Sequence, residues 1–206
     1  MLSATGLECV RGEHRLFAGL GFALQPGTLL AVRGANGSGK TSLLRMLCGL
    51  LPPAAGRIAW KDTAIAELGE EYRVQLAYLG HHNAIKEELT AAENLSLALR
   101  LAGIAADPAQ CRAALEWSGL GERRRQACAT LSQGQRRRVA LARIWLSRPR
   151  PLWILDEPFT ALDVAAVDRT RALIEAHLAG GGVVALTTHQ EVPIAAPAVH
   201  TIDLSA

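Results

Sequence analysis

The sequence contains no long hydrophobic run. Half of its 206 residues are hydrophobic, yet no stretch reaches the roughly 18 to 20 apolar residues that a membrane-spanning helix needs. Residues 1–5 also lack the basic segment and the apolar stretch that mark a signal peptide. We therefore expect a globular chain that stays in the cytoplasm and forms one domain, or one domain with a subdomain.

Cysteine is scarce, and the two signs of charge nearly balance. The four cysteines form no Cys-x-x-Cys pair, which indicates packed, reduced thiols and disfavours a zinc or redox site. The 22 Lys and Arg against 19 Asp and Glu give a formal net charge of +3, too small to indicate nucleic acid by itself. Two arginine triplets stand out, at 123–125 and 136–138. Because no aromatics are interleaved, a solvated helix face is favoured over a nucleic-acid patch.

The strongest motif lies near the N-terminus and fits the pattern G-x-x-x-x-G-K-[ST]. Its residues are Gly34, Ala35, Asn36, Gly37, Ser38, Gly39, Lys40 and Thr41. The glycines let backbone N–H groups approach a polyphosphate closely. We expect Lys40 to reach the β- and γ-phosphates and Thr41 to offer its hydroxyl to Mg²⁺. Ser42, the next residue, belongs to the same predicted phosphate-binding set.

The flanks of this loop decide between a phosphate-binding loop and an ordinary glycine-rich turn. The apolar run 29–32 predicts a strand buried on both faces. Apolar residues recur at helical spacing over 43–51, and Pro52-Pro53 is predicted to end that helix. Strand, loop and helix in this order favour the phosphate-binding interpretation.

The rest of the chain predicts two sheets and a helical insert. Strand-like segments at 2–10 and 16–24 predict an N-terminal antiparallel sheet, which 57–60 is expected to join. Residues 76–79 predict the next buried strand. From about 90 to 147 the chain is rich in Ala, Leu, Arg and Glu, which predicts helices separated by Gly- and Pro-containing breaks.

The C-terminal third predicts parallel strands. Apolar runs at 152–155 and 183–186 are separated by a helical stretch from about 165 to 178, and strand, helix, strand indicates parallel pairing. Gly180-Gly181-Gly182 fits a helix stop. The predicted organisation is a single domain, with a core of 1–85 and 150–206 and a helical subdomain of about 86–149.

Two carboxylates follow the first of these parallel strands. Asp156 and Glu157 are expected at the carboxyl edge of the sheet, where open α/β sheets bind ligands. Asp156 is suited to hold Mg²⁺, and Glu157 to act as general base on the water that attacks the γ-phosphorus. Alone, this pair fits a solvated loop equally well; the glycine-rich loop favours the functional interpretation.

A second anion site is predicted far from the first in sequence. Leu-Ser-Gln-Gly-Gln at 131–135 precedes a helix predicted to run to about 147, with Ser132 as a natural N-cap. An exposed Ser and a Gly at a helix N-terminus suit an anion. One triphosphate hardly needs two such sites in one chain.

These motifs, with Ala161-Leu162-Asp163 and Thr188-His189, together resemble the pattern of ATP-binding cassette (ABC) ATPases over nearly the whole chain. The resemblance implies an α/β P-loop NTPase core of RecA-like, ABC type, with an N-terminal antiparallel β subdomain and a helical insert. It implies Mg²⁺ with ATP as cofactor. It also implies a homodimer in which each ATP lies between the P-loop of one subunit and Ser132, Gly134 and Gln135 of the other.

The resemblance assigns roles to two further residues. His189 would contact the γ-phosphate and hold the catalytic water, whereas a lone histidine would by itself be read as structural. Asp163 would couple the two sites across the dimer. His81-His82 stands where most cassettes carry a Gln, and imidazole is a poorer Mg²⁺ ligand than an amide oxygen.

The usual adenine-stacking aromatic is missing from its place. The matching position is Arg11, whose planar guanidinium can stack on a base. Phe17 is the alternative. Both remain candidates on sequence alone.

Within the family, the chain most resembles the ATPase subunits of cytochrome c maturation systems. The phrases that carry this likeness lie at 78–81, 85–90, 93–95, 137–143, 151–153 and 187–190. It implies an ATPase that powers haem export or release of a haem-loaded chaperone. The implied partners are CcmB-like and CcmC-like membrane subunits and, indirectly, a CcmE-like haem chaperone, with the ATPase peripheral on the cytoplasmic face of the inner membrane and no nucleic acid bound.

Two rival functions stay open. One is the ATPase of another small-molecule exporter. The other is a soluble cassette protein acting on DNA or ribosomes, but such proteins usually carry a long coiled-coil insert or two cassettes, and this chain has neither. A GTPase is disfavoured because no Asn-Lys-x-Asp motif follows the P-loop.

Overall fold

The computed structural model describes residues 1–205, which form two compact units. The first unit comprises 1–78, 150–156 and the segment from 175 onwards, and the second comprises 79–149 and 157–174. The predicted helical subdomain, 86–149, lies within the second unit. Across residues 1–205, no helix has the length and apolar character needed to cross a membrane.

The helices and strands follow each other along the chain in a mixed order. In sequence they are β1 (Leu2–Arg11), β2 (His14–Leu24), β3 (Thr28–Arg33), α1 (Lys40–Leu47), β4 (Ala55–Trp60), β5 (Thr63–Ala64), α2 (Ile65–Leu68), α3 (Glu70–Arg73), β6 (Leu76–Leu79), α4 (Ala91–Leu101), α5 (Pro108–Trp117), a 3₁₀ turn (Cys128–Thr130), α6 (Gln133–Leu146), β7 (Leu152–Asp156), α7 (Val164–Ala179), β8 (Val183–Thr187) and β9 (Ala198–Asp203).

The predicted antiparallel sheet is confirmed, with strand order β2-β1-β4-β5. β1 pairs with both β2 and β4 in antiparallel register, so the segment predicted to rejoin the sheet does so. Its inward side chains share one core with α1 and with the parallel strands, since Leu7, Leu44 and Ile154 belong to the same buried cluster. The antiparallel sheet, α1 and the inward side chains of the parallel strands therefore share one hydrophobic core.

The parallel sheet has the order β6-β7-β8-β3-β9. The parallel pairing of β7 with β8 confirms the prediction made from the two apolar runs, all of whose residues are buried. Asp156 is the register partner of Thr187, and Thr187 is also the partner of Val32. The carboxyl ends of β3, β7 and β8 therefore meet at one edge. β9 was not predicted, because it is an edge strand with little apolar alternation.

The helix after the glycine-rich loop is shorter than predicted. α1 ends at Leu47, not near 51, because Gly49 takes a left-handed conformation with φ 70°. Its N–H donates to Met46 O and the next N–H to Arg45 O, the two bonds of a Schellman motif. Leu50 consequently points outwards and is 55% exposed. Gly181 at φ 85° ends α7 in the same way, as the Gly-rich run predicted.

The helices of the second unit begin at side-chain caps. Thr90, Asp107 and Ser132 each cap a helix through a capping box with a Glu or Gln three residues on. α4, α5 and α6 pack around one apolar cluster that includes Leu95, Leu115 and Val139. These caps explain why the breaks predicted in this part of the chain separate helices.

The prediction of solvated helix faces for the arginine triplets is wrong in two ways. Residues 123–125 lie in turns after α5 and not on a helix. In the second triplet Arg137 is buried, with 3% of its surface exposed, and Arg136 donates to Glu87 Oε1 at 2.6 Å and to three backbone carbonyls. Sequence periodicity alone could not predict this burial. An arginine side chain is buried only where oxygen atoms of the folded chain accept its hydrogen bonds.

The prediction of packed, reduced cysteines is confirmed. All four are free thiols, and Cys9, Cys48 and Cys128 are buried. Burial raises the pKa of Cys48 and of Cys128. A thiol held in its protonated form is a poor nucleophile, so these side chains act as small apolar core residues.

A half-buried histidine packs beside β7. His177 stacks on Trp153 with ring centroids 3.8 Å apart and planes 5° from parallel. Its Nε2 is buried and has no hydrogen-bond partner among residues 1–205, and a Cβ on Gly182 would overlap the ring. Burial lowers the pKa of His177 to about 4, partly offset by a hydrogen bond to the Pro151 carbonyl. The ring is therefore neutral in the folded chain near pH 7.

We predict that this histidine makes the fold sensitive to acid. Since the ordinary pKa near 6.5 exceeds the folded value of about 4, the unfolded chain binds the proton more readily, and up to about 3 kcal/mol of stability is lost as pH falls from 6.5 to 4. His177→Phe keeps a stacked ring without a titrating group. Between pH 7.5 and 4.5, the free energy of unfolding measured in urea should fall less in this variant than in the parent. The variant His14→Gln, at an exposed histidine, should behave like the parent. If the free energy of unfolding falls equally in His177→Phe and the parent, His177 is not the acid-sensitive group.

Candidate functional site

The glycine-rich loop connects β3 to α1 in a conformation that only glycine adopts without strain. Gly34, Gly37 and Gly39 have φ of 145°, 84° and 103°. Among the described residues no side chain caps α1, whose N-cap is Gly39 and whose first turn contains no acidic residue. The uncapped N–H groups and the positive end of the helix dipole suit an anion. Lys40 Nζ lies across the loop and donates to Gly34 O at 2.7 Å and Ala35 O at 2.9 Å.

A buried carboxylate joins this loop to the sheet edge. Asp156 is 2% exposed, and its two oxygens accept from different hydroxyls, Oδ2 from Thr41 at 2.9 Å and Oδ1 from Thr187 at 2.6 Å. The structure thus brings together the two residues predicted to hold Mg²⁺. Thr187 was missed by the sequence analysis, although its place at the end of a buried strand was the signal that could have identified it.

An aromatic ring lies against the loop. A Cβ built on Gly39 would be 3.2 Å from the Phe17 ring and 3.3 Å from Leu16 Cβ, so the start of β2 covers this glycine. Arg11 is exposed at the far end of β1, beside the hairpin turn. Of the two candidates for stacking on a base, Phe17 is the one in contact with the loop.

His189 lies two residues beyond the end of β8 and is exposed. The hydroxyl of Thr188 accepts from Gln190 N at 3.0 Å and shapes the bend around it. The histidine therefore follows the strand that also supplies Thr187. An exposed imidazole at the carboxyl edge of a parallel sheet can meet a ligand there.

In the second unit, the start of α6 packs on the segment that contains Asp163. Ser132 Oγ accepts from Gln135 N at 3.2 Å, and Gln135 Oε1 accepts from Ser132 N at 2.9 Å. Gly134 has no room for a side chain, because a Cβ would overlap the Ala161 carbonyl oxygen. Asp163 caps α7 by accepting from Ala166 N at 2.8 Å. The three predicted second-site residues and the predicted coupling residue thus belong to one packed assembly.

Glu157 has an unusual backbone. It is 9% exposed and has φ 52°, a left-handed conformation that is costly for a residue with a side chain. Its carbonyl accepts from Arg137 Nη2 at 2.7 Å, while Arg137 Nη1 donates to the loop that carries the two predicted histidines. His81 and His82 are exposed and meet edge to face, with centroids 5.4 Å apart. Arg137 was not predicted as a site residue, because its triplet looked like surface charge.

Comparison with known proteins identifies this set of motifs. The family described as ABC transporter matches residues 17–160. The cytochrome c biogenesis ATP-binding export protein CcmA of Dechloromonas aromatica is 57% identical over 99% of this chain and 100% of its own length. The protein of the same description from Escherichia coli strain K12 is 45% identical over 100% of this chain and 97% of its own. The chain belongs to the CcmA branch of the ABC transporter family.

Family membership makes the chain a nucleotide-binding ATPase and confirms the predicted fold class. A solved structure described as the dimeric post-hydrolysis state of an ATP-binding cassette, bound to ADP and phosphate, has a TM-score of 0.79 to this chain. It is 23% identical and covers 92% of this chain and 88% of its own, so it supports the fold alone. We call residues 34–41 the P-loop and residues 131–135 the signature motif.

The position of Phe17 predicts which residue stacks on adenine. Phe17→Ala should weaken ATP binding by about tenfold or more, since stacking on an aromatic is worth roughly 1–3 kcal/mol per base. Arg11→Ala should change it by less than about threefold, because a stack on an exposed guanidinium is weak. Titration calorimetry measures both. Inorganic tripolyphosphate, which has no base, is the control ligand and should bind both variants like the parent. Loss of ATP affinity in Arg11→Ala alone would assign the role to Arg11.

The contact between Gly134 and Ala161 predicts a destabilising methyl group. By helix propensity alone Gly134→Ala would stabilise α6 by about 0.5–1 kcal/mol. We expect instead a loss of about 1–3 kcal/mol from overpacking against the carbonyl, measured as a lower urea midpoint. Gln133→Ala, at the exposed neighbouring position, is the matched control and should unfold like the parent. A Gly134→Ala variant at least as stable as this control would refute the packing argument.

Proposed function

We propose that this chain is the ATP-hydrolysing subunit of an ABC membrane complex in c-type cytochrome biogenesis, powering haem export or the release of a haem-loaded chaperone. The observation that carries the proposal is the Thr41–Asp156–Thr187 network beside the P-loop. It is found in a chain similar over its full length to export proteins of that process. A phosphate-binding loop joined to a buried carboxylate is the arrangement that ATP hydrolysis requires.

The donor set of this network fits Mg²⁺ bound with ATP. A hydroxyl and a carboxylate within 2.9 Å of each other provide the oxygen ligands that this ion prefers. We propose that Thr41 and Asp156 hold it, and when bound it neutralises charge on the β- and γ-phosphates. Lys40 and the loop N–H groups bind the same phosphates, and Phe17 or Arg11 holds the adenine.

We propose that Glu157 is the general base. Its carboxylate accepts a proton from water as the water oxygen bonds to the γ-phosphorus and the bond from that phosphorus to the bridging oxygen breaks, leaving ADP. His189 orients the water and contacts the γ-phosphate. The strained backbone of Glu157 supports this role, since such strain concentrates at functional sites.

We further propose that the chain acts as a homodimer. Ser132, Gly134 and Gln135 would bind the γ-phosphate of ATP held by the partner's P-loop, and Asp163 would couple the two sites. This accounts for two anion-binding helix starts in one chain.

The relatives are described as export proteins, which supports membrane partners for this chain. We propose CcmB-like and CcmC-like integral subunits, with a CcmE-like haem chaperone affected indirectly, and a peripheral position on the cytoplasmic face of the inner membrane. Binding of ATP would close the dimer, and hydrolysis would reopen it and move the membrane subunits.

Glu157→Gln should separate ATP binding from hydrolysis. Because the amide cannot accept the proton, we expect kcat to fall by about 100-fold or more while ATP affinity stays within about threefold. The variant should accumulate as an ATP-bound dimer in size-exclusion chromatography. Glu88→Gln, an exposed carboxylate elsewhere, is the control and should hydrolyse ATP normally. Retained hydrolysis in Glu157→Gln would contradict the assignment of the base.

The same variant identifies the partners. Tagged Glu157→Gln, isolated from native membranes with ATP, should copurify CcmB-like and CcmC-like subunits and a haem-bearing CcmE-like protein, as identified by mass spectrometry. Recovery of a different membrane protein would be compatible with the ATPase function but would contradict the role in cytochrome biogenesis. Ribosomal proteins or DNA alone would reject the membrane role.

A further inference from the structure

Arg137 is a buried cation in the second unit. It lies on the second turn of α6, two residues beyond the signature motif, and only 3% of its surface is exposed. A guanidinium in such a place is retained only where oxygens replace its water. Its known partners are oxygens from two segments that are distant from each other in sequence.

The first segment is the loop after β6. Arg137 Nη1 donates to Gly80 O at 3.0 Å and to Asn83 Oδ1 at 2.9 Å. These two residues flank His81 and His82, so the guanidinium holds both ends of the short histidine loop. The chain that follows this loop is held by buried Asn94. Its Oδ1 accepts from Lys86 N and its Nδ2 donates to Lys86 O.

The second segment begins with Glu157. Arg137 Nη2 donates to Glu157 O at 2.7 Å, and Thr160 N donates to the same carbonyl at 3.2 Å. A residue held at φ 52° relaxes readily unless its surroundings fix it. Anchoring the carbonyl fixes the peptide plane after Glu157 and, with it, the direction in which the carboxylate leaves the backbone.

We propose that Arg137 is a positioning residue that ties the histidine loop to the backbone of Glu157, so that the loop and the base hold one shared arrangement. The proposal rests on the proposed function, in which Glu157 is the general base. The planar fork of arginine is essential because its two terminal nitrogens reach the two segments at once. A lysine ammonium has one nitrogen and cannot span them in the same geometry.

The variant Arg137→Lys tests this link while keeping the charge and the aliphatic stem. We expect kcat for ATP hydrolysis by the full chain to fall by about tenfold or more with KM within about threefold, because small misplacement of a catalytic group is costly. Arg150→Lys is the matched control, since Arg150 also donates to a backbone carbonyl, that of Leu76 in the first unit. It should keep its kcat.

Hydrogen exchange measured by mass spectrometry distinguishes positioning from general stability. In Arg137→Lys the amides of 80–83 and of 157–160 should both exchange faster, while those of α4 and α5 remain unchanged. Asn83→Ala removes one bond on the loop side and should speed exchange at 80–83 with a smaller fall in kcat. It also provides a test if Arg137→Lys does not fold.

The outcomes separate this inference from the proposed function. If Glu157→Gln abolishes hydrolysis but Arg137→Lys and Asn83→Ala keep full kcat, the positioning role is wrong and the base assignment stands. A uniform rise in exchange across the unit, with the fall in kcat recovered at lower temperature, would likewise reduce Arg137 to a structural role. In the Glu157→Gln background, adding Arg137→Lys should not lower the residual rate further. Normal hydrolysis by Glu157→Gln would overturn both.

Discussion

The nucleotide site depends on the hydrogen bonds that the buried carboxylate of Asp156 accepts. This carboxylate can stay buried because the hydroxyls of Thr41 and Thr187 each donate a hydrogen bond to one of its oxygens. Those two threonines come from the start of α1 and the end of β8, so a single side chain sets the position of the P-loop helix against the sheet edge. The register of the strands makes this possible, since Asp156 and Thr187 are direct neighbours across β7 and β8. The pairing of the strands therefore determines which side chains meet at the site.

The second unit contains two residues other than glycine whose backbone has a positive φ, a conformation that glycine adopts more easily. Glu157 and Ala161 both have positive φ, at 52° and 61°, at a cost of about 1–3 kcal/mol each. Surrounding contacts fix both positions. Arg137 holds the Glu157 carbonyl, and Gly134 receives the Ala161 carbonyl where no side chain could fit. The signature glycine has a packing role within its own chain, besides any role toward a phosphate.

Much of the fold was predictable because its signals are local. Continuous apolar runs identified β3, β7 and β8, and the short strand-like segments before them identified the antiparallel sheet. The end of α1 was misplaced because Gly49 and not Pro52 terminates it, and an αL glycine stop competes with an apolar pattern that continues past it. β9 was missed because an edge strand buries little and carries little pattern.

By itself, the sequence determined the chemistry of the motifs: a glycine loop with Lys40 and Thr41, a strand ending in Asp156 and Glu157, and a Ser-capped helix. Each depends on residue types at short spacing, which local backbone geometry converts directly into structure. Only the tertiary structure decided that Thr187 is the second partner of Asp156, that Phe17 lies on the loop, and that Arg137 is buried. Those contacts join residues distant in sequence, and whether a polar side chain is solvated or buried depends on which oxygens the folded chain brings to it.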